Sequence, residues 1–202
     1  MDYTYIDLFC GAGGLSLGFD EAGFENLLAV ELQPAFAKTY RRNFPDHPLL
    51  VEDIREISNE RLLELTAGKT VDVIVGGPPC QGFSIAGNIG RTFLDDERNR
   101  LFKEFVRFVA YLKPKMFVME NVAAMATHLK GKTIAAVEDA FETAGLGYRV
   151  QWQVLNSVHF GVPQERRRLV MVGIRKDFET AFAYPKEQER VYTVKDAIGD
   201  LP

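Results

Sequence analysis

Short β-rich runs alternate with helical patterns along this chain, and that rhythm restricts the fold more than any other feature. Residues 3–9, 26–31, 48–51, 71–75 and 116–119 read as strands, being rich in the apolar and β-branched types that suit buried sheet. Between them, residues 15–22, 34–43, 59–65 and 98–112 read as helices. Pro34 opens the second helix at its first turn, and Ser58 is placed to cap the third. Leu101, Phe102, Phe105, Phe108, Val109 and Leu112 draw one apolar stripe along the fourth. A fifth helix is predicted over 133–144, stopped by Gly145, ahead of strands at 148–155 and 169–174. Strands separated by helices imply an α/β fold with a doubly wound, mostly parallel sheet. Residues 156–168 carry no helical pattern, so the last two strands are expected to form an antiparallel edge, in a sheet of about seven strands.

With 202 residues, 47% of them hydrophobic and 26% charged, the chain suffices for one full-sized domain with a substantial core. Its net charge of -4 argues against a strongly basic DNA-coating protein; any nucleic-acid contact must come from local clusters or from a region outside this sequence. Cys10 and Cys80 show no metal-ligand spacing, so no metal is expected and a reducing cytoplasm is the natural setting. No apolar run approaches a membrane span, and the first residues lack a signal peptide's basic start and apolar core.

Phe9, Cys10, Gly11, Ala12, Gly13, Gly14 and Leu15 join the first strand to the first helix. Glycines there let a ligand approach the backbone, and a helix N-terminus favours a negative group. A dinucleotide site calls for Gly-x-Gly-x-x-Gly, which Gly11-x-Gly13-Gly14 does not match. Glu31 ends the second strand, where an acid accepts both hydroxyls of a ribose, and Asp53 follows the third, in reach of an adenine amino group. Leu32, Ile54 and Pro78 are counted with them. The combination suits S-adenosylmethionine; the plainer alternative is a tight turn with two solvated acids. Cys10 reads as a small buried hydrophobe, not a reactive thiol.

The segment Gly76-Gly77-Pro78-Pro79-Cys80-Gln81-Gly82-Phe83-Ser84 sets one thiol on a loop stiffened by two prolines. That arrangement is expected of a nucleophile. Glu120-Asn121-Val122 follows the fifth strand, and the carboxyl ends of neighbouring strands share one crevice. Glu120 and Cys80 are therefore expected to face one cavity. Gln164-x-Arg166-x-Arg168 precedes the last strand, where alternation sends Arg166 and Arg168 to one side and Arg167 to the other. The bland readings are a core cysteine, a helix-capping acid and a solvated run of arginines.

Taken in order, the Asp7–Gly18 loop, Gly76–Ser84, Glu120-Asn121-Val122 and Gln164-x-Arg166-x-Arg168 resemble the DNA (cytosine-5) methyltransferases. The resemblance implies a Rossmann-like, S-adenosylmethionine-dependent methyltransferase fold, with S-adenosylhomocysteine as product and double-stranded DNA as partner. It casts Cys80 as the nucleophile that adds to carbon 6 of a flipped-out cytosine, and Glu120 as the group that shares a proton with ring nitrogen 3. That role asks for a buried Glu120. Arg168 would hold the carbonyl oxygen at position 2, Arg166 the loop or a phosphate, while Gln81, Gly82, Ser84, Asn121 and Gln164 would meet the substrate. Residues 84–96 are the expected lid, with Gly87 and Gly90 as hinges. Arg91, Arg98 and Arg100 read equally well as phosphate contacts or as surface charge. Arg167 stands where the family often has an acid, with Glu165 nearby.

The family's target-recognition region and its last two motifs are not found. The expectation is a truncated chain or the front half of a split enzyme, with residues 1–175 as the cofactor-binding and catalytic domain and 176–202 as a connector. Such a chain would need a C-terminal region or complementary chain, bind cofactor weakly alone, and expose an apolar patch. A bacterial or phage modification enzyme, paired with a restriction system and working in the cytoplasm beside the nucleoid, is the implied setting. The alternatives are an RNA cytosine-5 methyltransferase, a scaffold subunit without activity of its own and, least of all, a dehydrogenase.

Overall fold

The computed structural model describes residues 3–79 and 99–201. Among these, the strands are β1 (Thr4–Leu8), β2 (Glu25–Glu31), β3 (Leu49–Val51), β4 (Val73–Gly76), β5 (Met116–Val122), β6 (Tyr148–Asn156) and β7 (Arg167–Arg175). The helices are α1 (Gly14–Glu21), α2 (Pro34–Asn43), α3 (Asn59–Leu65), α4 (Arg100–Leu112), α5 (Lys132–Glu142) and α6 (Val194–Ile198). Pro34 stands at the start of α2, and the Ser58 hydroxyl accepts from Arg61 N at 3.2 Å, capping α3.

One sheet carries the strands in the order β3-β2-β1-β4-β5-β7-β6. The first five run parallel, and β7 lies antiparallel to both β5 and β6. The expected α/β sheet with an antiparallel edge is thus the observed one. The last strand in sequence is nevertheless interior, and β6 forms the border. β5 also runs further than its own sequence indicates: Glu120, Asn121 and Val122 pair with Val170, Leu169 and Arg168.

Both faces of the central strands are covered, which is why every residue of β1 is buried. On one face Phe102, Phe105 and Phe108 of α4 meet Phe117 of β5 and Phe141 of α5. Phe117 and Phe141 stack with ring centroids 4.0 Å apart, and Phe105 sets its ring edge-on to Phe141. Gly173 on β7 makes room for this stack: a methyl group there would lie 2.0 Å from the Phe117 ring. Leu15 and Phe19 of α1 cover Tyr5, Val73 and Val75 on the other face.

Beyond Arg175 the chain turns back along the border strand. Arg149 donates to the carbonyls of Lys176, Phe178 and Thr180, and the Tyr184 hydroxyl to those of Gln151 and Val170. Gln188 N then reaches the His159 carbonyl at 2.8 Å. Among the described residues no helix is long and apolar enough to cross a membrane.

Candidate active site

Strand order reverses between β1 and β4, and a doubly wound sheet opens its crevice at such a point, outside the carboxyl ends of the strands. A cleft of about 400 Å³ lies there. Phe9 and Gly11 follow β1, Glu31, Leu32 and Gln33 close β2, Asp53 and Ile54 follow β3, and Gly77 and Pro79 follow β4 to line it.

The loop between β1 and α1 is held in an uncommon backbone. Phe9 has φ 63°, Gly11 57° and Gly13 96°, left-handed values that disfavour side chains. At Gly13 a methyl group would also lie 2.2 Å from the Phe44 ring, so glycine is required twice over. Glu31, buried at 8% exposure, accepts from Gly11 N at 2.9 Å and from Gln33 N at 2.8 Å. Asn43 secures the loop from α2 through the Ala12 carbonyl. Beneath it, Asp7 is fully buried and accepts from the Ser16 hydroxyl at 2.7 Å, while its Oδ1 finds no partner among the described residues. Burial pushes this carboxyl up to about 7. It also pushes the Cys10 thiol well above the thiol range, consistent with a small core residue.

The residues assigned to a cofactor by sequence divide between two hollows. Phe9, Gly11, Glu31, Leu32, Asp53 and Ile54 line the cleft. Ala12, Gly13 and Gly14 instead line a neighbouring hollow of about 490 Å³ with Leu17, Asn43 and Phe44. Cys10 is buried, Leu15 packs against the Tyr5 cluster, and Pro78 is buried beside β5. Asp53 does more than face the cleft: it caps the 3-10 turn Ile54–Glu56 by accepting from Arg55 N, and its bond to the Arg55 side chain holds the carboxyl below the usual range. Arg107 of α4 fastens this turn, donating to the carbonyls of Ile54 and Ile57 and to Asn59 Oδ1. Sequence reading missed Gln33, Phe36, Leu101 and Arg107; only the helical stripe through Leu101 pointed toward any of them. Leu17, Leu32 and Phe36 leave an apolar, half-exposed rim around the two hollows.

At the far side of the crevice Glu120 accepts from Arg168 Nε at 2.8 Å, and Arg166 Nη2 stands 3.6 Å from the same Oε1. Both arginines reach one carboxylate because they alternate about Arg167 at the start of an antiparallel strand. Burial of Glu120 is not observed: its side chain is 31% exposed, since β5 carries it to the open end of the sheet. Gly77 approaches it closely, so that a methyl group there would lie 3.4 Å from Glu120 Oε2. Asn121 is buried and donates to the Pro78 carbonyl at 3.0 Å, pinning the segment that leads to residue 80. Gln164 is exposed on a turn tied twice: the Ser157 hydroxyl donates to the Gln164 carbonyl, and Asn156 Oδ1 accepts from Arg166 N. Cys80, Gln81, Gly82, Ser84, Gly87, Gly90, Arg91 and Arg98, and the expected lid over 84–96, lie outside the described residues. A carboxylate gripped by two guanidinium groups, one strand from an apolar cleft, can orient a polar ring and stabilise charge developing on it.

Residues 3–202 match the C-5 cytosine-specific DNA methylase family. Over its whole length the chain is 55% identical to the type II methyltransferase M1.HphI of Haemophilus parahaemolyticus, covering 54% of that protein. It is 39% identical to the type II methyltransferase M.AquIA of Picosynechococcus, with 100% of this chain and 90% of that protein covered. A crystal structure described as a prophage-encoded DNA modification methyltransferase from E. coli superposes with a TM-score of 0.84 at 31% identity, over 100% of this chain and 56% of that one. The chain thus spans about half the length of most curated relatives it matches.

Proposed function

The chain belongs to the C-5 cytosine-specific DNA methylase family, and on that premise we propose that it is the cofactor-binding and catalytic part of an enzyme that methylates carbon 5 of cytosine in duplex DNA. The observation that carries the reading is the joint placement of Glu120, Arg168 and the Gly77–Pro79 segment beside a cleft lined by Phe9, Glu31 and Asp53. The cleft suits a nucleoside ligand. A carboxylate has about four acceptor positions, and Glu31 spends two on Gly11 N and Gln33 N. Two remain for a pair of hydroxyls, between apolar walls from Phe9, Val30, Leu32 and Ile54. When bound there, S-adenosylmethionine supplies an electrophilic methyl group.

The chain's own residues do the rest. The Cys80 thiolate bonds to carbon 6 of the cytosine, and the electron pair released shifts toward carbon 5 and nitrogen 3. Glu120, aligned by Arg168 and Arg166, shares a proton with nitrogen 3 and spreads the charge. Once carbon 5 has taken the methyl group, its proton leaves, the double bond re-forms and the Cys80 sulfur departs. Carbon 6 is inaccessible within a stacked duplex, so the base must be swung out, at a cost of a few kcal/mol. Gln81, Gly82, Ser84 and Gln164 contact it in this reading, and Asn121 acts through the Pro78 loop. A further segment, on this chain or another, covers the Leu17, Leu32 and Phe36 rim and supplies the reader of flanking bases. The enzyme would work in the cytoplasm.

Oligonucleotides bearing 5-fluorocytosine test this, because fluorine cannot leave as the proton does and the adduct persists. With the C-terminal half of a relative supplied, the chain should form a covalent complex, and Cys80→Ser should form none. An adduct that survives Cys80→Ser overturns the assignment.

A further inference from the structure

Beneath the cofactor loop, five side chains from β1, α1 and α2 and the turn after it form one unbroken hydrogen-bonded chain, joined at its far end by a sixth, that the reaction above does not use. Asp7 Oδ2 lies 2.7 Å from Ser16 Oγ, which lies 2.8 Å from Tyr40 Oη. Tyr40 Oη lies 3.0 Å from His47 Nδ1, and His47 Nε2 lies 3.1 Å from Asp20 Oδ2. Asp20 Oδ1 in turn accepts from the Tyr5 hydroxyl at 2.7 Å, which closes the chain back onto β1. Asp7, Tyr5, Ser16 and Tyr40 are fully buried.

Counting hydrogens along this chain leaves two complete arrangements. In one, Asp7 is the acid and donates to Ser16, Ser16 donates to Tyr40, Tyr40 to His47 Nδ1, and His47 Nε2–H to Asp20. In the other, every bond reverses except the last: His47 carries both ring hydrogens and Asp7 is the anion. With Asp7 ionised and His47 neutral, one of the four links has no hydrogen. We propose that this chain holds the cofactor loop in place only while it contains one shared proton, and that Tyr40 is the positioning residue that joins its two ends. Loss of the proton leaves a buried link unmade and loosens α1 and the residues that lead into it.

The groups that face Asp7 agree with a proton held near neutral pH. Asp20 on α1 and Glu31 on β2 are acidic and disfavour a further charge, as burial does, while the Ser16 side chain and backbone favour it. Tyr40 on α2 and Cys10 in the loop are the other titratable neighbours, and burial keeps both protonated.

Amide hydrogen exchange on the chain without ligand reads the loop directly. The amides of Gly11, Gly13 and Leu17 bond to Glu31, Cys10 and Gly13. Their protection factors should fall about tenfold between pH 5.5 and 8.5, while those of β4 hold steady. In Tyr40→Phe the two middle links are always broken, so protection should be low throughout and the pH dependence lost. Ser16→Ala, which keeps the Tyr40 ring packed on Phe44, should behave alike and serves if Tyr40→Phe does not fold. A flat wild-type profile, or a wild-type profile retained by the variants, overturns the proposal. That this loop serves a cofactor rests on the nucleoside reading of the cleft. Titration with S-adenosylhomocysteine separates the two: no binding by the wild type counts against that reading, and leaves the exchange result standing.

Discussion

Arg107→Ala should unfasten the wall of the cleft that carries Asp53 and Ile54. The guanidinium makes four bonds, at 2.7 Å to Glu104, 2.8 Å to Asn59, 2.9 Å to the Ile57 carbonyl and 3.3 Å to the Ile54 carbonyl. The Glu104 pair is a half-buried i,i+3 contact within one helix, worth only a few tenths of a kcal/mol. Bonds from a charged donor to Asn59 and Ile57 contribute about 1.5–3 kcal/mol each, and the longer Ile54 bond less. Truncation should therefore cost about 3–5 kcal/mol in urea unfolding, with Arg107→Lys losing about half because a single ammonium cannot reach three separated acceptors. Affinity for S-adenosylhomocysteine, measured calorimetrically, should fall about tenfold or more as the turn over Ile54–Glu56 loosens. Asn59→Ala should cost less in the Arg107→Ala background than in the wild type, by about 1 kcal/mol. A loss below about 1 kcal/mol with unchanged ligand affinity would refute the clamp.

Other outcomes follow from the same geometry. Asp7 titrates near 7 when folded against an ordinary value of 3.8, so the folded state binds more protons between these limits, and this group's contribution to stability falls as pH rises through them. Asp7→Asn should therefore gain on the wild type from about pH 4 to 7 and keep a constant lead above, at most about 4 kcal/mol; a lead independent of pH would contradict the burial argument. Gly13→Ala, which meets both a left-handed backbone and the Phe44 ring, should lower stability by about 2 kcal/mol or more in thermal unfolding and weaken ligand binding. Glu120→Gln should slow methyl transfer about 10²–10⁴-fold in the completed enzyme while DNA binding, followed by mobility shift, is retained; unchanged turnover would remove Glu120 from the chemistry.

Local signals were legible and distant pairings were not. The Pro34 start, the Ser58 cap and the α4 stripe each depend on residues within one or two turns of one another, so the sequence displays them directly. The extent of β5 depends on β7, some fifty positions later, whose backbone carries Glu120 to Val122 onward as strand. For the same reason the exposure of Glu120 could not be read from its neighbours. The described parts of the four motifs lie at one end of the sheet, because a parallel sheet brings its strand ends together whatever lies between. The bond from Gly11 to Glu31, the Arg107 clamp and the Asp7–His47 chain join residues far apart in sequence, and no spacing rule announces them.

Because β7 runs against its neighbours, its first residues, not its last, arrive at the crevice. The polypeptide then leaves the sheet at the opposite pole and has to climb the full height of the border strand to come back. Arg149, Tyr184 and His159 act as rungs on that climb, and Gln188 ends it against the same turn that presents Gln164 and Arg166. The outside edge of the protein is thereby hydrogen-bonded, through that turn, to the segment that carries the guanidinium groups around Glu120.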